Sequence, residues 1–174
     1  PMDDPTLYAG DTILTYSGHY LNVFDPNPDH ICIEDIAHGL SHIPRFAGQT
    51  NKFFSVAEHS FNVSIAVSRP FCLEGLLHDA SEAYLMDIPK PIKKHLPDYI
   101  ILEDSLMRVI ATKFGIAFPI SPEVKIEDKR QLEFEHLHLR GKKVSSYPTL
   151  TSENAKELFL MRYRSILKKG VNNG

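Results

Sequence analysis

His78 and Asp79 are adjacent in the run GLLHDASEAYLMD, and Glu82 follows four residues after the first and three after the second. Neighbours on a helix diverge by about 100°, so His78 and Asp79 reach a common point only from the edges of one face. A metal ion accepts ligands from several directions and tolerates that geometry. Glu82 shares the face. His59 lies among Val56, Val63 and Val67, and Asp128 has Val124 four residues before it and Leu132 four after it. An ionised carboxylate on such an inward-looking stripe is costly unless a cation compensates it.

A divalent metal ion would compensate Asp128 and would also account for the histidines. The expected ligand set is therefore His59, His78, Asp79 and Asp128. Two imidazoles and two carboxylates favour a first-row ion such as Mn, Fe, Co, Ni or Zn over calcium, with Mg a further candidate. On a six-coordinate ion, four protein ligands leave room for water and a phosphate oxygen, the setting for Lewis-acid polarisation and water activation. Taken singly each signal is weak. A lone inward histidine is commonly a satisfied core residue, an HD dipeptide arises often by chance, and Asp128 alone would serve as an ion-pair partner of Lys125 or Lys129. Their combination carries the reading.

The elements that must position these groups are mostly helical. Residues 12–24, TILTYSGHYLNVF, hold two β-prone runs around Ser17-Gly18, which predicts a short hairpin. The breaker-rich DPNPD at 25–29 ends it. Helical periodicity then predicts helices over 33–43, ended by Pro44, and over 55–68, followed by Pro70. One further helix is expected over 71–87, with Leu73, Leu76, Leu77, Ala80 and Tyr84 along one side, before Pro89 and Pro91 break the chain. A helix over 98–114 closes at Gly115. Ser121-Pro122-Glu123 reads as an N-cap, a proline at the first helical position and an acid at the positive end, starting a helix that runs to about Leu139. A last helix is expected from Thr151 or Ser152 to about Lys168, after an irregular stretch over 141–150. The expected fold is an all-α bundle with a short N-terminal β-hairpin, organised as one domain over 1–174 with its helical core at about 31–168.

The chain of 174 residues is long enough to bury one substantial core, and its 43% hydrophobic and 24% charged fractions are those of a soluble globular domain. A net charge of −3 with both signs interspersed argues against binding long nucleic acids. Cys32 and Cys72 are far apart and in no CxxC arrangement, consistent with reduced thiols in a core. No apolar run reaches the ~20 residues that span a bilayer. The acidic start PMDDPTLYAGD lacks the order of a signal peptide. A cytoplasmic location without a membrane partner is the expectation.

Three stretches carry a resemblance: Arg45-Phe46, VAEHSFNVS at 56–64, and HDASEAYLMDIPKPIKK at 78–94, with EVKIEDKRQLEFE at 123–135 supplying an Asp a few residues after Val-Lys. Over roughly residues 30–140 the chain resembles the HD-domain phosphohydrolases, whose pattern is His…His-Asp…Asp, and within them the small 5′-deoxynucleotidase branch. The resemblance implies a compact HD-type helical bundle in which His59, His78, Asp79 and Asp128 match the metal ligands. It implies that Glu82 orients or activates the nucleophilic water and that Asp87 is a second acid for water activation or leaving-group protonation. Arg45 matches an arginine at substrate phosphate or sugar, and Lys93, or Lys90, would help neutralise phosphate. Phe46 stands where the deoxynucleoside-monophosphatases carry Trp. DIAHGLSHIPRFAGQT at 35–50 is similar instead to a phage- and prophage-associated subgroup with RFxGxT, some of whose members act on deoxynucleoside triphosphates.

The expected activity is hydrolysis of a deoxynucleotide phosphate bond, splitting either a dNMP into deoxynucleoside and phosphate or a dNTP into deoxynucleoside and triphosphate. Related proteins assemble as dimers or rings, which implies a homo-oligomer. Two alternatives stand beside this: an HD hydrolase of a cyclic or (p)ppGpp-type nucleotide, and a non-catalytic nucleotide-binding HD module, whose signature would be loss of a ligand or of Glu82. His38 and His42, four apart, suit surface roles, a metal clip or, for His42 next to Arg45, a place in the substrate pocket. His136 and His138, two apart on a helix, are expected in solvent. Tyr84, Phe53 and Phe54 are expected in the core.

Overall fold

The computed structural model describes residues 10–141 and 146–171. Most of the acidic N-terminal stretch and the middle of the 141–150 segment lie outside the described residues. The chain is mostly helical with a short two-stranded antiparallel hairpin at its start. Strand β1 (Thr12–Leu14) pairs with β2 (Tyr20–Asn22), Ile13 opposite Leu21. Gly18 takes φ +90° between them. The two-residue period turns Ile13 and Leu21 toward the core and leaves Leu14 and Tyr20 in solvent. The backbone N–H and hydroxyl of Ser17 donate to the two oxygens of Asp35, each at 2.7 Å, and pin the hairpin tip to the first helix.

Helix α1 (Ile33–His42) buries Ile36, Ala37 and Leu40. Helix α2 (Val56–Ala66) begins at Ser55, whose hydroxyl accepts the Glu58 N–H at 3.1 Å. Seven residues of α2 are buried, among them the polar Glu58, His59, Ser60 and Ser64, because α1 and the helices over 72–77, 122–139 and 152–171 all pack around it. It is the axis of the fold. Helix α6 (Pro97–Phe114) ends at Gly115 with φ +68°, and α7 (Pro122–Leu139) and α8 (Ser152–Val171) complete the long helices. Leu76, Leu77, Leu106, Ile110 and Phe159 meet Ile36 and Leu40 in the main core.

The helix expected over 71–87 is divided. Helix α3 (Cys72–Leu77) stops before His78, residues 78–81 form a turn, and a short α4 (Glu82–Leu85) follows. The turn is tightened to i→i+3 hydrogen bonds, from Ala80 N–H to Leu77 O and from Glu82 N–H to Asp79 O, each 3.0 Å. Its cause is local. His78 Nδ1 meets the Gly75 carbonyl at 2.9 Å and competes for the acceptor that an unbroken helix offers to the Asp79 N–H. The pair His78-Asp79 therefore sits at a helix end, not in mid-helix. A further short helix, α5 (Lys90–Lys93), follows Pro89, carries Pro91 in its first turn and precedes α6.

Ser121 holds the N-cap position of α7 as expected but makes no capping bond. Its hydroxyl donates instead to Glu74 Oε2 at 2.9 Å, and its backbone N–H donates to the other oxygen of Glu74. This ties the start of α7 to α3 and sets the height of Asp128 beside His78. Among the described residues no helix is long and apolar enough to cross a membrane.

Candidate metal centre

Three elements converge at one end of α2. His59 projects from α2 and is fully buried; His78 and Asp79 come from the end of α3 and its turn; Asp128 comes from the second turn of α7. The ligand atoms of His59, His78 and Asp128 lie within 4.8 Å of one another. Asp128 Oδ1 is 3.2 Å from His59 Nε2 and 3.9 Å from His78 Nε2, and Asp79 Oδ2 is 3.1 Å from His78 Nε2 and 3.8 Å from His59 Nε2. All four expected ligands thus face one small volume. His59, His78 and Asp128 form a cluster able to hold a metal ion.

The donor chemistry fits that occupant. Each imidazole has its Nδ1 engaged outside the cluster, His59 with Glu135 Oε1 at 2.6 Å and His78 with Gly75 O at 2.9 Å. Since both outer partners are acceptors, each Nδ1 carries a proton, and each Nε2 is turned inward, where it offers a lone pair to an ion that displaces any proton there. Both Nε2 atoms are buried without a hydrogen-bond partner. Two lone pairs and two carboxylates pointed at one another repel unless a cation or protons lie between them. Burial disfavours the charged form of His78, but Asp79 and Asp128 outweigh it and push the imidazole up to about 9. Burial likewise opposes ionisation of Asp79, yet the imidazoles of His78 and His59 and the Arg45 guanidinium hold it well below the usual carboxylate range.

Around this cluster stands a second ring of charge. Glu82, on α4, is 6% exposed, and its Oε2 is buried without a partner. Burial, reinforced by Asp79 and Asp87, raises it well above the ordinary glutamate value. Asp87 follows α4 and lies 3.6 Å from Arg45; burial raises it too, against the pull of Arg45. Lys93 of α5 donates to Glu103 of α6 at 2.7 and 3.0 Å and comes within 3.8 Å of Glu82. Arg45 is 8% exposed, with Nε and one terminal nitrogen both 3.2 Å from Glu135 Oε2 and the other terminal nitrogen toward Asp87.

The backbone on both sides of the Arg45–Asp87 pair is strained. Phe46 and Ala47, next after Arg45, have φ of 55° and 52°, and Met86, just before Asp87, has φ 76°. Such non-glycine conformations are held only where surrounding contacts demand them. For Met86 those contacts include the Tyr99 hydroxyl, which donates to the carbonyls of Leu85 and Met86. The Phe46 ring is half-buried and packs beneath the guanidinia of Arg45 and Arg140.

No protein-family profile matches the chain. It is 42% identical over 147 residues to the uncharacterized protein YfdR of Escherichia coli (strain K12), a match covering 84% of this chain and 83% of that one. The chain belongs to the YfdR family. It is also 36% identical over 139 residues to the uncharacterized protein RCAP_rcc00048 of Rhodobacter capsulatus, covering 72% of this chain and 71% of that one. Neither name states a reaction, so the chemistry of this YfdR-family chain rests on its side chains.

His42 does not join the others. It is exposed, its ring lies against His38 at 4.2 Å, and its Nδ1 meets the His38 carbonyl at 2.8 Å. His38 in turn stacks on Tyr16 at 3.8 Å, beside Lys156 of α8. His136 and His138 are exposed, Phe54 is buried and Phe53 is 41% exposed, so only one of that pair is core. The buried acids that the sequence does not announce include two beside the cluster's first histidine. Glu135 is 1% exposed and touches both His59 and Arg45. Glu58, 6% exposed, accepts the Leu150 N–H at 3.0 Å. Glu135 was detectable in principle: it lies seven residues, two helical turns, after Asp128, on the same face as Val124 and Leu139.

Proposed function

We propose that this protein is a metal-dependent phosphohydrolase that cleaves a phosphate bond of a deoxynucleotide. The observation that carries the reading is the inward meeting of two unpartnered imidazole nitrogens with two carboxylates, beside a buried acid of raised pKa. The motif resemblance at 45–46, 56–64, 78–94 and 123–135 supports the substrate class. A divalent ion bound by His59, His78, Asp79 and Asp128 would supply Lewis acidity toward a phosphoryl oxygen and a lowered pKa for water.

The chain's own groups do the rest. Glu82 would take the proton of the attacking water; burial beside Asp79 and Asp87 favours its protonated form and so strengthens it as a base. Asp87, itself raised, is the second acid, available to protonate the leaving oxygen. Arg45 turns one terminal nitrogen toward Asp87 at 3.6 Å, and that nitrogen would be the one to meet a phosphoryl oxygen. Lys93, fixed by Glu103, adds positive charge beside Glu82.

Incubating the purified protein with each dNMP and dNTP, and with cyclic and (p)ppGpp-type nucleotides, in Mn²⁺ or Co²⁺ tests this. Release of phosphate or tripolyphosphate from a deoxynucleotide is expected, with Glu82→Ala lowering turnover by roughly 10²–10⁴ while binding the ion as before. Turnover of none of the deoxynucleotides would remove the substrate class. Failure to bind either ion would remove the centre itself.

A further inference from the structure

We infer that Glu135 is a positioning residue for the metal centre, clamping the His59 ring so that Nε2 faces the ion, with Arg45 as its counter-charge. This inference rests on the metal reading above. Helix α7 supplies both Asp128, which points into the cluster, and Glu135, two turns later on the same face. One oxygen of Glu135 stands 2.6 Å from His59 Nδ1, and the other receives Arg45 Nε at 3.2 Å. The carboxylate is therefore divided, one oxygen for the imidazole and one for the guanidinium.

Each half of that arrangement needs the other. A carboxylate 1% exposed is too costly to bury alone, and Arg45, itself 8% exposed, offsets it. With its other oxygen taking the Arg45 N–H, the Glu135 oxygen that faces His59 is placed to accept, so the imidazole donates from Nδ1 and leaves Nε2 for the ion. Glu135 thereby fixes the tautomer, and the buried hydrogen bond fixes the ring plane. A carboxylate behind a ligating histidine also makes the inner nitrogen a better donor to the ion. His78 obtains the same tautomer from the neutral Gly75 carbonyl. Of the two imidazoles, His59 is thus the one with a charged brace. Arg45 links this brace to Asp87, so the ligand's support and the second acid share one guanidinium.

The test is Glu135→Gln, which keeps size and an acceptor oxygen but removes the charge, with Mn²⁺ and Co²⁺ affinities measured by calorimetry well below the melting temperature. A 10–100-fold weaker Kd is expected, with an altered visible spectrum of the Co²⁺ form. A residue serving only as a structural partner of Arg45 would lower the melting temperature and leave the Kd within about twofold of the parent; that outcome overturns the inference while the metal reading stands. No ion bound by the parent protein overturns both. A second measurement needs no variant. In the ¹⁵N-histidine-labelled Zn²⁺ form, His59 should show a proton on Nδ1 and none on Nε2. A proton on Nε2 with Nδ1 on the ion overturns the inference even if Glu135→Gln does not fold.

Discussion

Glu58 precedes His59 in the chain and faces away from it, toward the Leu150 N–H of the segment that crosses the end of α2. Burial, with Glu135 nearby, raises this carboxyl from 4.5 to about 7, against the pull of the Leu150 hydrogen bond. The folded state therefore binds this proton more tightly than the unfolded chain. The resulting stability is complete below pH 4.5 and is lost as pH rises through about 7. Glu58→Gln keeps an acceptor for Leu150 and should remove that loss, stabilising the metal-free protein above pH 7 by roughly 2 kcal/mol after allowing for solvent screening. Urea denaturation in EDTA between pH 4.5 and 8 measures it; an unchanged pH slope in the variant would refute the assignment. At this scale the sequence was informative about the four inward groups, because His59 and Asp128 lie on apolar stripes and His78-Asp79-Glu82 share a turn. Glu135 was hidden by its neighbours. Phe134, His136 and Leu137 are exposed, and the local run resembles a solvated helix end. Its partners His59 and Arg45 are 76 and 90 residues away in the chain.

The elements owe their placement to two close backbone approaches. A methyl group on Gly39 of α1 would stand 2.6 Å from the Ala83 carbonyl of α4, and one on Gly75 of α3 would meet the Ser64 backbone of α2 at 3.2 Å. The Gly39 clash is with main chain and cannot be relieved by a rotamer change. Gly39→Ala should push α4 outward, lower stability by about 1–3 kcal/mol and reduce turnover through displacement of Glu82, as thermal melts and the nucleotide assay would show together. A melting temperature equal to the parent's would contradict the packing described. Helix ends were legible wherever the chain spells them: Pro44 after α1, Gly115 after α6, Ser121-Pro122 before α7. The break at residues 78–81 was not, since Leu76, Leu77, Ala80 and Tyr84 keep helical phase straight through it. What interrupts the helix is a side chain, His78, bonding to its own backbone. The turn at Arg45–Gly48 was equally silent, because left-handed φ falls on Phe46 and Ala47, residues with no preference for it.

Across the whole molecule, exposure of the four inward groups is graded. The His59 side chain is wholly enclosed and that of His78 is 5% exposed, whereas Asp79 and Asp128 show 20% and 30% of theirs. A cation arriving from solvent therefore meets oxygen before nitrogen. On the metal reading, docking on the carboxylates would cost little water at first, and the imidazoles would complete the shell afterwards. Two kinetic phases of uptake are then expected: a fast one set by the outer acids and a slower one set by loss of the last waters and of the proton that Asp79 and Asp128 favour on His78. Asp128→Asn should slow the fast phase of Co²⁺ uptake in stopped-flow absorbance by about tenfold or more; a single phase insensitive to that change would contradict it. The same gradient would make a loaded protein slow to surrender its ion to a chelator, because the deepest bond, to the enclosed His59 ring of the central helix, would have to break where no competing ligand can follow.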